Sequence, residues 1–301
     1  MISARFGAVI CAMVTPFGPA GELDLDGVAR LARWLVDNGN DGLAVTGTTG
    51  EGAALSDREK ADLWRAVREA VTVPVIAGTG TASTAHTVEL TRLAAEAGAD
   101  AALVVTPYYN RPSQVGIEAH FRAAAEASRL PVIAYDIPKR TGREIAPATL
   151  ARLAGDRVIA GLKDAAGAPS ATAALLGKAP AGFEVYSGED ALTLPLLAVG
   201  AVGVISVASH WAGQALSEMV AMWHKGDAEA AAAVNQRLVQ SYEFEATEAA
   251  PNPVPTKAMM RALGLPAGEC RLPMGPTPEG LEDRAKQVWS KLHERPFTQA
   301  V

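Results

Sequence analysis

The sequence predicts an α/β fold, a (β/α)8 TIM barrel with a C-terminal helical extension. Three observations carry this. Apolar runs of strand length recur along the first two-thirds of the chain. They are continuously apolar rather than alternating, as in parallel strands buried on both faces. Amphipathic segments of helix length separate them. Nothing like a G-x-G-x-x-G turn follows the first run, which speaks against an open dinucleotide-binding sheet.

The strands are expected at Ala8–Val14, Gly42–Thr46, Val73–Ala77, Ala101–Thr106, Val132–Tyr135, Val158–Lys163, Phe183–Tyr186 and Val202–Val207, each bounded by Gly, Pro or Asp. The first helix is expected over Leu25–Asn38, with Val28, Leu31 and Leu35 on one stripe. Asp24 or Asp26 starts it and Gly39 stops it. Ser56-Asp57-Arg58-Glu59 reads as a capping box ahead of Leu63, Trp64 and Val67. Further helices are expected at His86–Ala97, stopped by Gly98, and at Val115–Ser128. Pro147 stands where a first-turn proline belongs, before Leu150 and Leu153. After about residue 212 the pattern is helical throughout: Gln214–Lys225, Ala228–Glu245, Thr256–Leu263 and Glu279–Glu294. The barrel is therefore expected over residues 1–225, and the extension packed on it over 226–301.

Composition narrows the function. With 301 residues and 49% hydrophobic residues, the chain is long enough for one large core. The net charge of −6 comes with mixed signs and no basic stripe, which excludes nucleic acid as the expected partner. Cys11 and Cys270 are far apart, a usage that suits a reducing cytoplasm. No signal-peptide pattern opens the chain, and no apolar stretch reaches the roughly 18 residues a membrane span needs.

Barrel chemistry sits at the C-terminal strand ends. The sixth apolar run ends in Lys163, where lost hydration disfavours the ammonium. A neutral lysine is a nucleophile that forms imines with ketones. A lone strand-end lysine more commonly snorkels to water, so its company decides. Tyr135 offers a phenol that can give and take a proton, and Gly47-Thr48-Thr49-Gly50 can aim backbone N–H groups at a carboxylate. Arg140 offers a fork for a second carboxylate. Each piece alone fits an ordinary turn, core or surface role; together they point to a 2-oxo acid held as an imine. Asp164, next to Lys163, alternates to the opposite face and is expected to be structural.

The blocks Gly47–Glu51, Val75–Gly80, Val105–Pro112, Tyr135–Gly142, Gly161–Ala165, Ser187–Asp190, Gly203–Val207, Asn252–Lys257 and Arg271–Met274 are spaced along Ala8 to about Met274. In these blocks the chain resembles the class I pyruvate-dependent aldolases, the N-acetylneuraminate lyase family. The resemblance implies that Lys163 forms a Schiff base with pyruvate. It implies a proton relay of Thr48, Tyr109 and Tyr135, with Tyr109 reaching into a neighbouring subunit's site. Thr49 would hold the pyruvate carboxylate and Arg140 that of an aldehyde. Gly188 and the backbone carbonyl of Ile205 would line the site. No metal and no organic cofactor is implied, pyruvate being a covalently bound substrate.

Within the family, Arg140 suits L-aspartate-4-semialdehyde, a short aldehyde that ends in an amino acid. The expected reaction is its condensation with pyruvate to 4-hydroxy-tetrahydrodipicolinate, in diaminopimelate and lysine biosynthesis. The alternatives are a sibling lyase or dehydratase acting on a 2-oxo-3-deoxy sugar acid or N-acetylneuraminate, and a non-catalytic barrel that binds a 2-oxo acid. Asp136 replaces an asparagine frequent in the family. The implied assembly is a homotetramer built as a dimer of dimers. Lysine-inhibited relatives hold the effector at a dimer interface with polar and acidic side chains. The matching positions here are Gly52, Ala53, Asp57, Lys60, Ala82 and His86, which imply little or no inhibition by L-lysine.

Overall fold

A computed structural model of the chain describes residues 4–294. The ends of the two expected segments, 1–3 and 295–301, lie outside the described residues. Eight parallel strands close into a barrel in sequence order, β1 pairing with both β2 and β8. The first half runs β1 (Val9–Ala12), α1 (Leu25–Asp37), β2 (Gly42–Val45), α2 (Asp57–Ala70), β3 (Val75–Gly78), α3 (Thr84–Glu96), β4 (Ala101–Val105) and α4 (Gln114–Glu126). The second runs β5 (Val132–Asp136), α5 (Pro138–Thr141), α6 (Pro147–Gly155), β6 (Gly161–Asp164), α7 (Pro169–Leu176), β7 (Glu184–Ser187), α8 (Thr193–Ala198) and β8 (Gly203–Ser206). Four helices follow: α9 (Ser209–His224), α10 (Ala228–Phe244), α11 (Val254–Ala262) and α12 (Leu281–Leu292). None of the described helices is long and apolar enough to cross a membrane.

Local chemistry explains the boundaries. Asp24 caps α1 through Gly27 N, and Ser56 and Glu59 form the expected reciprocal box at α2. Pro147 occupies the first turn of α6. The strands are shorter than their apolar runs. Val158 and Ile159 turn their N–H groups back to Leu153 O, closing α6, so β6 begins only at Gly161. Thr46 ends β2 because its φ is +61°. Pro195 falls inside the short helix α8, and of the apolar run Val202–Val207 only Gly203–Ser206 forms β8. Helix α9 starts earlier than its periodicity suggests and breaks from helical geometry at Ala212.

Side chains alternate between two cores. Ile133 and Tyr135 face the barrel interior with Ala12, Ala44, Leu103, Ala165, Tyr186 and Ile205. Ala134 and Leu162 face the outer helices. Lys163 is in register with Tyr135 on one side and Tyr186 on the other, so it shares their inward-facing layer. Asp164 takes the outer face and is buried. It accepts from Thr172 Oγ1 at 2.5 Å and Ala166 N at 3.0 Å, the structural role expected of it.

Candidate active site

A narrow pocket of about 90 Å³ opens at the C-terminal end of the barrel. Thr48, Thr49, Tyr135, Arg140, Lys163 and Gly188 all line it. Six of the eight residues singled out from the sequence are thus brought together. The other two differ. Ile205 is 1% exposed within the barrel core, and Val207 lines the pocket near it. Tyr109 is 93% exposed and does not line this chain's own pocket.

The floor is Lys163, 6% exposed. Its Nζ lies 4.3 Å from the centre of the Tyr135 ring. Burial brings its ammonium down to about 8; Arg140 pushes the same way, and Asp190 and Glu189 oppose. Gly188 is required here: a Cβ on it would stand 2.9 Å from Lys163 Cγ and 3.1 Å from Lys163 Cε. Burial also raises the Tyr135 phenol, with Arg140 and a hydrogen bond from Thr48 working against it. Tyr135 is therefore a neutral hydroxyl at physiological pH, able to donate a proton and to take one back.

The threonine turn is held from both sides. Glu51, at φ +54°, closes it with Glu51 N to Thr48 O at 3.1 Å. A Cβ on Gly52 would meet Thr46 O at 2.1 Å, so only glycine lets the chain double back there. From the turn that leads into α11, Asn252 Nδ2 donates to Thr49 Oγ1 at 3.0 Å, and Asn252 Oδ1 accepts from Thr256. Lys257 pairs with Glu51 at 2.6 Å, both side chains fully enclosed. Helices beyond the barrel thus help build its site.

The rim carries strain. Thr46, Glu51, Tyr109 and Arg111, four of the six non-glycine residues with positive φ among those described, stand at these strand ends. Tyr109 N donates to Thr141 O at 3.3 Å and Asn110 Nδ2 to Ala82 O at 3.1 Å, bracing the turn that projects Tyr109 outward. Arg140 is exposed on α5, while its neighbour Lys139 pairs with Glu189. Asp136 faces outward, accepting from Ile145 N at 3.3 Å, and burial lifts its carboxyl to about 7. It does not touch the pocket.

Sequence reasoning missed Glu189, Asp190, Glu245 and Asn252, all pocket-lining. Glu189 and Asp190 were visible at the end of the seventh strand. Glu245 and Asn252 come from the connection between α10 and α11, which carries no strand-end signal, although Asn252 opens one of the blocks of resemblance. Among the described residues no group of three or more His, Cys, Asp or Glu side chains is placed to hold a metal ion. Chemically, the pocket offers an amine that is neutral in part near pH 8, a neutral phenol, hydroxyls and a cationic rim. That combination can form an imine with a small 2-oxo acid.

Known proteins agree. The model of the dihydrodipicolinate synthetase family matches residues 5–292. The 4-hydroxy-tetrahydrodipicolinate synthase of Moorella thermoacetica is 50% identical over 272 residues, covering 90% of this chain and 92% of the relative. That of Parasynechococcus marenigrum is 46% identical over 292 residues, 96% of each. The solved dihydrodipicolinate synthase of Cyanidioschyzon merolae with lysine bound superposes with a TM-score of 0.93 at 40% identity, over 97% of this chain and 99% of that one. The chain belongs to the dihydrodipicolinate synthetase family.

Proposed function

We propose that this chain condenses pyruvate with L-aspartate-4-semialdehyde to give 4-hydroxy-tetrahydrodipicolinate, the activity for which its relatives are named. The observation that carries the reading is Lys163, buried on the pocket floor against Tyr135 with its ammonium brought down to about 8.

Neutral Lys163 attacks the pyruvate ketone. The carbonyl π electrons move to oxygen, which takes one proton from the Lys163 nitrogen through the relay and a second from Tyr135, and leaves as water while the nitrogen lone pair forms the C=N bond. Thr48 hydrogen-bonds to the phenol and returns the proton. Thr49 holds the pyruvate carboxylate. The imine loses a C3 proton to the Tyr135–Thr48 relay to become an enamine, whose carbon attacks the aldehyde held through its carboxylate by Arg140, and the aldehyde oxygen takes that proton from the relay. The substrate amino group then closes the ring and displaces Lys163. Covalent catalysis by the lysine asks for no cofactor.

Tyr109, exposed on a strained turn, completes the relay of a neighbouring copy. The Ile205 carbonyl borders the site. The assembly is a dimer of dimers, and the location is the cytoplasm, which the two free cysteines suit.

The test is pyruvate-dependent consumption of aspartate semialdehyde, together with borohydride trapping of pyruvate on Lys163. N-acetylneuraminate and 2-oxo-3-deoxygluconate serve as controls. Cleavage of either control without use of the semialdehyde would overturn the reading in favour of a sibling lyase. An active monomer in sedimentation at assay concentration would remove the shared relay.

A further inference from the structure

Two carboxyl groups in the pocket have no part in the steps above. Asp190 follows β7 and is 3% exposed. Its Oδ2 accepts from Val207 N at 2.7 Å and from Ala208 N at 3.2 Å, which suits a carboxylate, but Oδ1 is buried without a donor. Glu245 caps the C-terminal end of α10 and lines the same pocket, and its Oε1 is likewise buried without a donor.

Two enclosed carboxylates beside each other do not both ionise at neutral pH, and a single proton between them satisfies both orphaned oxygens. Glu245 is the natural holder. Burial first, then the charge of Asp190 and a hydrogen bond with it, then Glu189, keep its carboxyl protonated well above the usual range; Lys139 opposes. The negative end of α10 also disfavours a carboxylate there. Tyr242 also feels the charges of both carboxyls, and Lys163 and Arg140 face them across the pocket.

We propose that Asp190 and Glu245 form a one-proton pair that carries out the proton exchange between the two nitrogens at ring closure. This rests on the condensation proposed above. When the substrate amino group attacks the carbon of the protonated imine, a new C–N bond forms and the C=N π pair moves to the Lys163 nitrogen. The attacking nitrogen then holds one proton too many, and the lysine nitrogen needs one to leave. The pair gives its proton to the lysine nitrogen and takes another from the substrate nitrogen. The C–Nζ bond breaks, its electrons returning to Lys163 while the ring nitrogen lone pair forms the new C=N bond, and the pair ends with one proton and one negative charge, as it began. No oxidant or outside acid is consumed.

Glu245→Gln tests this in the full-length chain. The amide still donates to Asp190 Oδ1, so shape and charge are kept while the mobile proton is lost. The expected result is a kcat about a hundredfold lower, with the KM for pyruvate and borohydride trapping of its imine unchanged. Mass spectrometry during turnover should show Lys163 carrying the joined pyruvate and semialdehyde carbons, stalled before release. In the parent, kcat should fall as pH rises and strips the pair of its proton; the variant should lack that limb. If Glu245→Gln does not fold, Asp190→Asn, which keeps an oxygen for Val207 and Ala208, should stall at the same adduct. A kcat within twofold of the parent overturns the proposal. So does a slow variant with no stalled adduct, or one that has lost imine formation. A parent that traps pyruvate but never consumes the semialdehyde would instead sink the condensation itself.

Discussion

Lys163 and Lys257 are both buried, 6% and 0% exposed, in the same molecule, yet only one has the surroundings of a nucleophile. Lys257 is enclosed with a counter-ion. Its Nζ lies 2.6 Å from Glu51, donates to Glu269 O at 3.0 Å and sits 4.0 Å from the centre of the Phe17 ring. Burial lowers both ammonium groups, but at Lys257 Glu51 pulls back strongly by charge and hydrogen bond. Lys163 faces a ring and an open pocket, and forms no ion pair with any described residue. Desolvation without a partner makes a reactive amine; desolvation with one makes a strut. The strut has a use, because Glu51 closes the turn that carries Thr48 and Thr49.

Substituting the nucleophile tests the contrast most severely. Lys163→Arg should fold but form no imine, because arginine stays protonated. Activity should fall by a factor on the order of 10⁴ or more, as when other nucleophiles are removed. A borohydride adduct on a different lysine would end the comparison.

The converse change falls on Lys257. Lys257→Met strands Glu51 as a buried unpaired charge, which costs about 3–5 kcal/mol of folding stability. Lys163→Met, which breaks no ion pair, should cost far less. Urea denaturation of the two variants decides, and equal losses would show that the two burials do not differ in kind.

Arg140→Ala removes a carboxylate partner at the rim. A charge-assisted bond of this sort is worth roughly 1.5–3 kcal/mol, so kcat/KM for the semialdehyde should drop about ten- to a hundredfold. Pyruvate trapping should stay near the parental level. Unchanged kinetics would make Arg140 an ordinary surface arginine.

The pH dependence follows from the Lys163 ammonium standing at about 8 instead of 10.5. The rate of imine formation should rise as pH climbs toward 8 and level off above it. For stability the sign is the same. Between about 8 and 10.5 the unfolded chain binds this proton and the folded chain does not, so the Lys163 contribution improves with rising pH across that window. Lys163→Met should flatten that component, and a profile identical to the parent's would contradict the assignment.

The smallest expected effect concerns a third buried lysine, Lys60, 6% exposed and 3.7 Å from Asp57. His86 already holds Asp57 at 2.9 Å through both carboxylate oxygens. With that acceptor occupied, L-lysine at millimolar concentration should change the rate little. Half-inhibition well below a millimolar in a steady-state titration would show an effector pocket built from other residues.

Much of this was legible in the chain. Continuous apolar runs gave the barrel, because strands covered on both faces have no polar side to show. The Ser56–Glu59 box, Asp24 and Pro147 marked helix starts, because capping is local chemistry between residues three or four apart. Lys163, Tyr135 and Thr48 were legible for a related reason: a barrel brings strand ends to one face, so sequence position translates into spatial position. Glu245 and Asn252 were not. They lie in the connection between α10 and α11, which has no periodicity to show what it packs against. The boundary of β6 was equally hidden, since Val158 and Ile159 have strand-like side chains and their N–H groups are claimed by Leu153.

By itself, then, the sequence determined the order of strands and helices, the inward-facing layer that carries Tyr135 and Lys163, and the residue types at the strand ends. All of these depend on local propensity and on the two-residue period of a strand. Only the tertiary structure decided which buried lysine has a counter-ion, that Asn252 braces Thr49, and that Asp190 and Glu245 line one pocket, each with a buried oxygen that no donor reaches. Those are contacts between residues tens to hundreds of positions apart, and the pairing of buried charges depends on who the neighbour is, which closure of the barrel and docking of the last helices alone can set.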